Sequence, residues 1–292
     1  MVDAAIRGRA REPERSYRGR SPVARAMLYM VAFAVLGAII IPVAYAVLGG
    51  FRDTAQLASD PVALPDPWIF TNYLEVLGSG SFWEQVWNST FIAALTVALV
   101  LPAASLAAFV ISRFSFRGRE AVYSLFVLGL LFPVAVAILP LYVVIRELGL
   151  LNTTIGVALP QVAFQLPLSI VILRPFFASI PKELEEAAII DGAGSFRFYW
   201  SVLMPLSRPV LATIAVLTLV TSWNAFLLPL VVLTDSAGWT LPIGVTNYST
   251  QYTTDTARVL AYTTLAMIPA LLFYAVAERQ IVRGLVAKGI KG

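Results

Sequence analysis

The chain has 292 residues, of which 59% are apolar and 13% charged, with a formal net charge of +4 and a mean hydropathy of +0.79. A water-facing globular surface draws on about 25% Asp, Glu, Lys and Arg, so the composition excludes an ordinary soluble enzyme and points to a bilayer. Cysteine and histidine are both absent, which removes disulfides, thiolate or imidazole metal sites, and Cys or His catalytic dyads.

In chain order, the first 25 residues carry seven Arg and three acids and read as a disordered, basic tail that sets orientation. Six stretches then lack any Asp, Glu, Lys or Arg: residues 26–51, 85–112, 121–145, 148–173, 209–234 and 259–277. A hydrocarbon core about 30 Å thick needs roughly 20 helical residues, so each stretch can cross. The expectation is an all-α polytopic membrane protein with six transmembrane helices. A secretory signal peptide competes for the first run, because Ala44-Tyr45-Ala46 resembles a cleavage site. At least 17 apolar residues precede Ala44, more than the roughly 7–15 of a signal core, so the run is assigned as a span.

With the N-terminus inside, 18 Lys and Arg fall on the inner side and only Arg52, Arg146 and Arg258 on the outer. That bias obeys the positive-inside rule and predicts N-in, C-in. The nine inner and eight outer acids leave the inner face at +9 and the outer at −5, so the basic balance needs no nucleic acid. Trp68, Trp83, Trp87, Trp200 and Trp239 fall in loops or at span ends, where amphipathic rings settle. This gives a tail at 1–25, a membrane domain at 26–278 and an inner tail at 279–292. The outer loop 52–84 is rich in Pro and Gly turns and is expected to hold a short helix over 71–77 capped by Thr71.

The inner segment 174–208 reads differently from the other loops. Pro181 suits a first helical turn, and Glu183, Glu185 and Glu186 suit its positive end. Asp191-Gly192-Ala193-Gly194 breaks that helix, Ser195 can cap a second, and Pro205 is expected to stop it. The residues alone leave two readings: a solvated amphipathic hairpin against the bilayer, or a surface for a partner.

Glu186-Ala187-Ala188, three residues, Gly192, nine residues, then Val202-Leu203-Met204-Pro205 closely resembles the EAA loop of binding-protein-dependent ABC importer permeases. Asp191 before the glycine fits as well, while Val202 and Met204 depart conservatively from an Ile-x-Leu-Pro ending. Asn88-Ser89-Thr90, Ser222-Trp223-Asn224 with Phe226 and Pro229, and Arg283-Gly284-Leu285 resemble the six-span subunit of the maltose-type branch. The resemblance implies the transmembrane domain of a type I ABC importer in the cell membrane. The implied partners are a second permease subunit, a cytoplasmic ATPase dimer and an extracellular solute-binding protein, with a sugar as cargo. It also implies that Glu186, Ala187, Ala188, Asp191, Gly192 and Pro205 belong to a coupling element seated on the ATPase, with residues 285–292 as a weaker second contact.

The residues agree with a transport subunit that has no catalytic site. None of Lys182, Lys288 and Lys291 follows a glycine, so there is no P-loop. ATP and Mg are expected on the partner ATPase, and no cofactor or metal on this chain. The spans lack the ionisable residues of a proton relay. They retain Gln161 and Gln165 one helical turn apart, a stripe of Thr218, Thr221 and Asn224 beside Trp223, and Tyr262, Thr263 and Thr264 in the last span. Gln161, Gln165, Thr221, Asn224 and Tyr262 are therefore candidates to line a path for a neutral di- or oligosaccharide, against the plainer reading of hydrogen bonds between helices. An ATP-independent channel or secondary carrier for a neutral polar solute is the alternative function.

Overall fold

The computed structural model describes residues 22–249 and 253–289. The Arg-rich stretch up to residue 21, and the end of the 285–292 tail, lie outside them. Among the described residues the chain is helical, with one isolated bridge between Ser249 and Thr254.

The chain divides into residues 1–45 and 46–292. Helix α1 (Pro22–Gly49) begins in the first and runs through Ala44-Tyr45-Ala46 without interruption. Its stretch within the first unit presents Val31, Phe33, Ile39 and Ile41 outward on a helix with no charged residue after Arg25.

In the second unit the chain enters the loop 52–84, where α2 (Thr54–Ser59) and α3 (Thr71–Gly78) form. Asp53 and Gln56 make a reciprocal capping box at the start of α2, satisfying donors that a helix start leaves free. Buried Arg52 directs its guanidinium to the carbonyls of Gln56, Asp60 and Pro61, at the negative end of that short helix. The expected 71–77 helix is present, but Phe70 occupies the cap position without a side-chain bond and Thr71 is already helical. Asn72 donates to the carbonyls of Gly50 and Arg52, and the Tyr73 hydroxyl donates to the Val47 carbonyl at 2.7 Å, so α3 is strapped to the chain leaving α1.

Helices α4 (Gly80–Arg113), α7 (Thr154–Ser179), α11 (Arg208–Trp223) and α14 (Thr256–Gly289) make the bundle. The principal packing is α4 on α7 and α11, with α11 on α14. Small residues Ala93, Ala104 and Ala108 are buried along α4 and bring the backbones close, as membrane bundles require when apolar burial gives little preference over lipid. Ser79 caps α4 through the Phe82 amide, so this helix begins five residues before the charge-free run.

Two of the six charge-free runs are not single helices. The third divides into α5 (Arg119–Gly129) and α6 (Val134–Glu147), bent by 100° across a break before Val134. Pro133 cannot donate to a helical ladder and sits extended. The fifth divides into α11 and α12 (Leu227–Val232), separated at Asn224, Ala225 and Phe226. The fourth run is displaced: α7 starts at Thr154 and extends past Arg174 to Ser179. Four described helices are long and apolar enough to cross a membrane, and up to six spans result if the bent pairs α5 with α6 and Ser195–Leu206 with α11 each count as one.

Candidate functional site

The segment within 174–208 forms a helical hairpin between α7 and α11. Its first arm, α8 (Glu183–Ile190), carries Glu183, Glu185 and Glu186 in the opening turn, where the helix dipole favours negative charge. Lys182 takes the cap position, which places Pro181 two residues ahead of the first helical residue. Gly192 turns the chain with φ of +76°, the left-handed region that a side chain resists, and its amide together with that of Ala193 closes on the carbonyls of Ile189 and Ala188.

The second arm starts with α9 (Ser195–Phe198), capped by Gly194 rather than Ser195. It continues through a π-helical turn at Tyr199–Leu203 into α10 (Met204–Leu206). Pro205 therefore does not end the second helix. It lies in the opening turn of α10, directly after the π-helical turn. The change of direction falls at Ser207, whose hydroxyl donates to the Leu203 carbonyl, and the chain turns by 77° into α11.

The two arms have opposite surroundings. Phe198, Tyr199 and Leu203 are buried in one cluster with Ala104, Ala108 and Phe109 of α4, Leu173 and Phe177 of α7, and Leu211 and Ile214 of α11. The Tyr199 hydroxyl is 2.6 Å from Ser105 Oγ. By contrast, α8 buries no residue, and Ile189 and Ile190 at its end are 63% and 85% exposed, with Phe196 69% exposed across the turn. Of the predicted coupling residues, Glu186, Ala187, Asp191 and Gly192 lie on this open face, and Pro205 is exposed further along. Ala188 departs from the expectation: it is half-buried and packs inward against the bundle. The exposed Ile189, Ile190 and Phe196 were not singled out from sequence, although three apolar residues beside a glycine turn in a charged loop were a usable signal.

A second site opens where the two broken runs meet α7. A cleft of about 540 Å³ is lined by Val134 after the first break, Gln161 and Gln165 of α7, and Thr221, Asn224 and Phe226 around the second. Irregular backbone at membrane depth is tolerated where protein or a polar cavity satisfies it. Here the Asn224 amide donates to the Val220 carbonyl and the Thr221 hydroxyl to the Leu217 carbonyl.

Gln161 is 8% exposed, and its Oε1 accepts from Ser222 Oγ at 2.5 Å and from Thr96 Oγ1 at 3.1 Å, tying α7 to α11 and α4. Its Nε2 is buried without a hydrogen-bond partner among the described residues. No charged side chain lines the cleft. Its polar lining is Gln161, Gln165, Thr221, Ser222 and Asn224, with acceptor capacity on the Thr221 hydroxyl and the Asn224 carbonyl, among otherwise apolar walls.

Tyr262 does not join this cleft. It is fully buried, donates to Gln85 Oε1 at 2.6 Å and lies 3.2 Å from the Leu241 carbonyl, acting as a strut between α14, α4 and the short helix α13 (Leu241–Gly244). Trp223 also turns away, packing edge-on to Phe273 of α14 at 5.5 Å. Thr263 and Thr264 return their hydroxyls to the carbonyls of Val259 and Leu260. Asn88 holds the carbonyls of Ala237 and Trp239, and Ser89 Oγ accepts the Leu241 amide, so these residues latch the segment 237–241 onto α4.

A helical bundle with an open polar hairpin on one side and an uncharged cleft within defines an integral membrane transport component. Residues 100–283 match the family described as binding-protein-dependent transport system inner membrane component, and the chain belongs to that family. It is a multi-pass membrane subunit of an ABC transport system, in which ATP hydrolysis belongs to a separate subunit. The chain is 36% identical over 253 residues to the diacetylchitobiose uptake system permease protein of Streptomyces coelicolor, covering 86% of this chain and 83% of that one. It is 34% identical over 246 residues to the trehalose/maltose transport system permease protein of Thermococcus litoralis, covering 81% and 88%. Among solved structures, a bacterial ABC transporter involved in the import of the acidic polysaccharide alginate shares the fold at a TM-score of 0.76 and 24% identity, covering 90% of this chain and 98% of that one.

Proposed function

We propose that this chain is one of two permease subunits of an importer for a neutral di- or oligosaccharide. An extracellular binding protein delivers the sugar, and a cytoplasmic ATPase dimer drives uptake. In this reading the membrane domain 26–278 makes six crossings with both ends inside, and the hairpin within 174–208 faces the cytoplasm. The basic segment 1–25 sets orientation, and the tail 279–292 lies near the ATPase. ATP and Mg stay on the ATPase. The observation that carries the reading is the asymmetry of the hairpin: one arm is buried in the bundle while the other exposes Ile189, Ile190 and Phe196 beside the Gly192 turn. An open apolar tip on a rigidly held base suits insertion into a partner's cleft and transfer of its motion.

The cleft supports a neutral cargo. A sugar hydroxyl both donates and accepts, so it can meet the Thr221 hydroxyl and the Asn224 carbonyl, while Phe226 and Phe164 offer apolar rings to its carbon face. An anion only accepts, and the cleft lining supplies no cation to pair with it. The test is reconstitution of the chain with its neighbouring permease, ATPase and binding protein in proteoliposomes, using radiolabelled maltose, trehalose and diacetylchitobiose. ATP-dependent accumulation of at least one is expected. Downhill flux of solute without ATP or the binding protein would favour a channel or secondary carrier and overturn the proposal.

A further inference from the structure

We propose that Arg113 is a positioning residue that transmits movement of the hairpin's open arm to helix α4. The inference rests on the importer reading above.

Arg113 is the last residue of α4, and its side chain is only 3% exposed. One guanidinium nitrogen donates to the carbonyl of Ile180 at 2.8 Å, at the C-terminal cap of α7, where a helix presents partial negative charge. The other terminal nitrogen lies 3.5 Å from Glu185 Oε2 in α8. The guanidinium carbon is 6.0 Å from the ring centre of Phe198 in α9. A single side chain thus joins the ends of two bundle helices to both arms of the hairpin. Among the described residues, the pairing with Glu185 is the only side-chain hydrogen bond between α8 and another element. Half-buried Ala188 of α8 also packs against the bundle.

The energetics favour transmission over simple reinforcement. Arg113 Nε is buried without a partner, and the ion pair is long. A buried, imperfectly paired charge adds little stability compared with an apolar side chain of similar size, because desolvation offsets its attraction. Its directional bonds nevertheless fix α8 against α4, and α4 carries Thr96, the partner of cleft residue Gln161, further along the same helix. Displacement of α8 by an ATPase would therefore pull on the helix that packs behind the cleft. Lysine keeps the charge but lacks the planar fork that serves Ile180 and Glu185 together.

The test uses the complete reconstituted importer and reads labelled sugar accumulated per ATP hydrolysed, with ATPase co-purification measured in parallel. Arg113→Met is expected to assemble normally and hydrolyse ATP, while its transport per ATP falls about tenfold. Arg113→Lys should recover part of that loss. Glu185→Gln should fall several-fold, and Arg113→Met combined with Glu185→Gln should be no worse than Arg113→Met alone, as expected for residues acting through one contact. A wild-type ratio in Arg113→Met, or independent multiplication of the two losses, would overturn the proposal. If Arg113→Met fails to assemble, Glu185→Gln decides alone, since Glu185 is partly exposed and its change to Gln preserves shape; a wild-type ratio there overturns it. Absence of ATP-driven uptake by the wild-type chain would instead remove the importer reading itself.

Discussion

Ser105 and Tyr199 are 94 residues apart in the chain, yet their hydroxyl oxygens meet at 2.6 Å inside the bundle, both fully or almost fully buried. The contact joins the C-terminal third of α4 to the π-helical turn of the hairpin. Ser105 Oγ also lies 3.2 Å from the Pro102 carbonyl, so Tyr199 can act as the donor to Ser105 while Ser105 donates onward. Tyr199→Phe removes that one bond and is expected to cost about 1 kcal/mol. Tyr199→Ala also empties a core position and is expected to cost about 3–5 kcal/mol. Thermal unfolding of the purified complex in detergent measures both, and equal midpoints for the two variants would contradict the buried anchor.

Ile190 makes the opposite prediction. It is exposed at the end of α8, so Ile190→Glu should change stability by no more than about 0.5 kcal/mol. A charge at an apolar docking tip should reduce ATPase co-purification at least tenfold, with membrane insertion unchanged. Retention of the ATPase at the wild-type level would place the docking surface elsewhere.

The cleft is tested through Gln161 and Asn224. Gln161→Leu and Asn224→Ala each remove a hydrogen-bonding group from the lining while leaving the hairpin untouched. Each is expected to lower sugar uptake about tenfold, equivalent to about 1.4 kcal/mol of lost recognition. ATPase co-purification should stay at the wild-type level, which separates loss of recognition from loss of assembly.

The strap that ties α3 to the chain leaving α1 gives a pH prediction. Burial raises the Tyr73 phenol above its ordinary value near 10, an effect that Thr264 partly opposes, and the neutral hydroxyl donates to Val47. With the folded value above the unfolded one, the contribution is fully present below about pH 10 and is lost as pH rises through the folded value. The strap is therefore insensitive across pH 6–9 on this account. Tyr73→Phe should lower the melting midpoint at pH 7 and flatten the alkaline limb above about pH 10, measured by thermal unfolding as a function of pH.

The helical class, the charge-free runs and the location of the hairpin were legible because each depends on residues close in sequence. The EAA-type spacing placed Glu186, Ala187 and Gly192 on the open face. The helical repeat also brought Gln161 and Gln165 together, and the structure sets both in one cleft with Thr221 and Asn224. The same reasoning misjudged Tyr262, because a hydroxyl in an apolar run looks identical whether it faces a cavity or reaches Gln85 on another helix. It also gave Ser195 and Thr71 capping roles that the neighbouring residues hold, since cap preference alone locates a helix end only within a residue or two.

The sequence by itself determined that the chain meets a bilayer, because hydropathy and charge are sums over local residues that no packing can alter. It also determined the turn at Gly192, where backbone freedom belongs to the residue itself. Only the tertiary structure decided where the third and fifth runs break, and which arm of the hairpin is buried. Pro133 and Asn224 make breaks possible, but a broken ladder persists in the membrane only when neighbouring helices or a polar cavity accommodate its free groups. That condition depends on α4, α7 and α11 lying side by side, a juxtaposition of residues as distant as Thr96, Gln161 and Ser222.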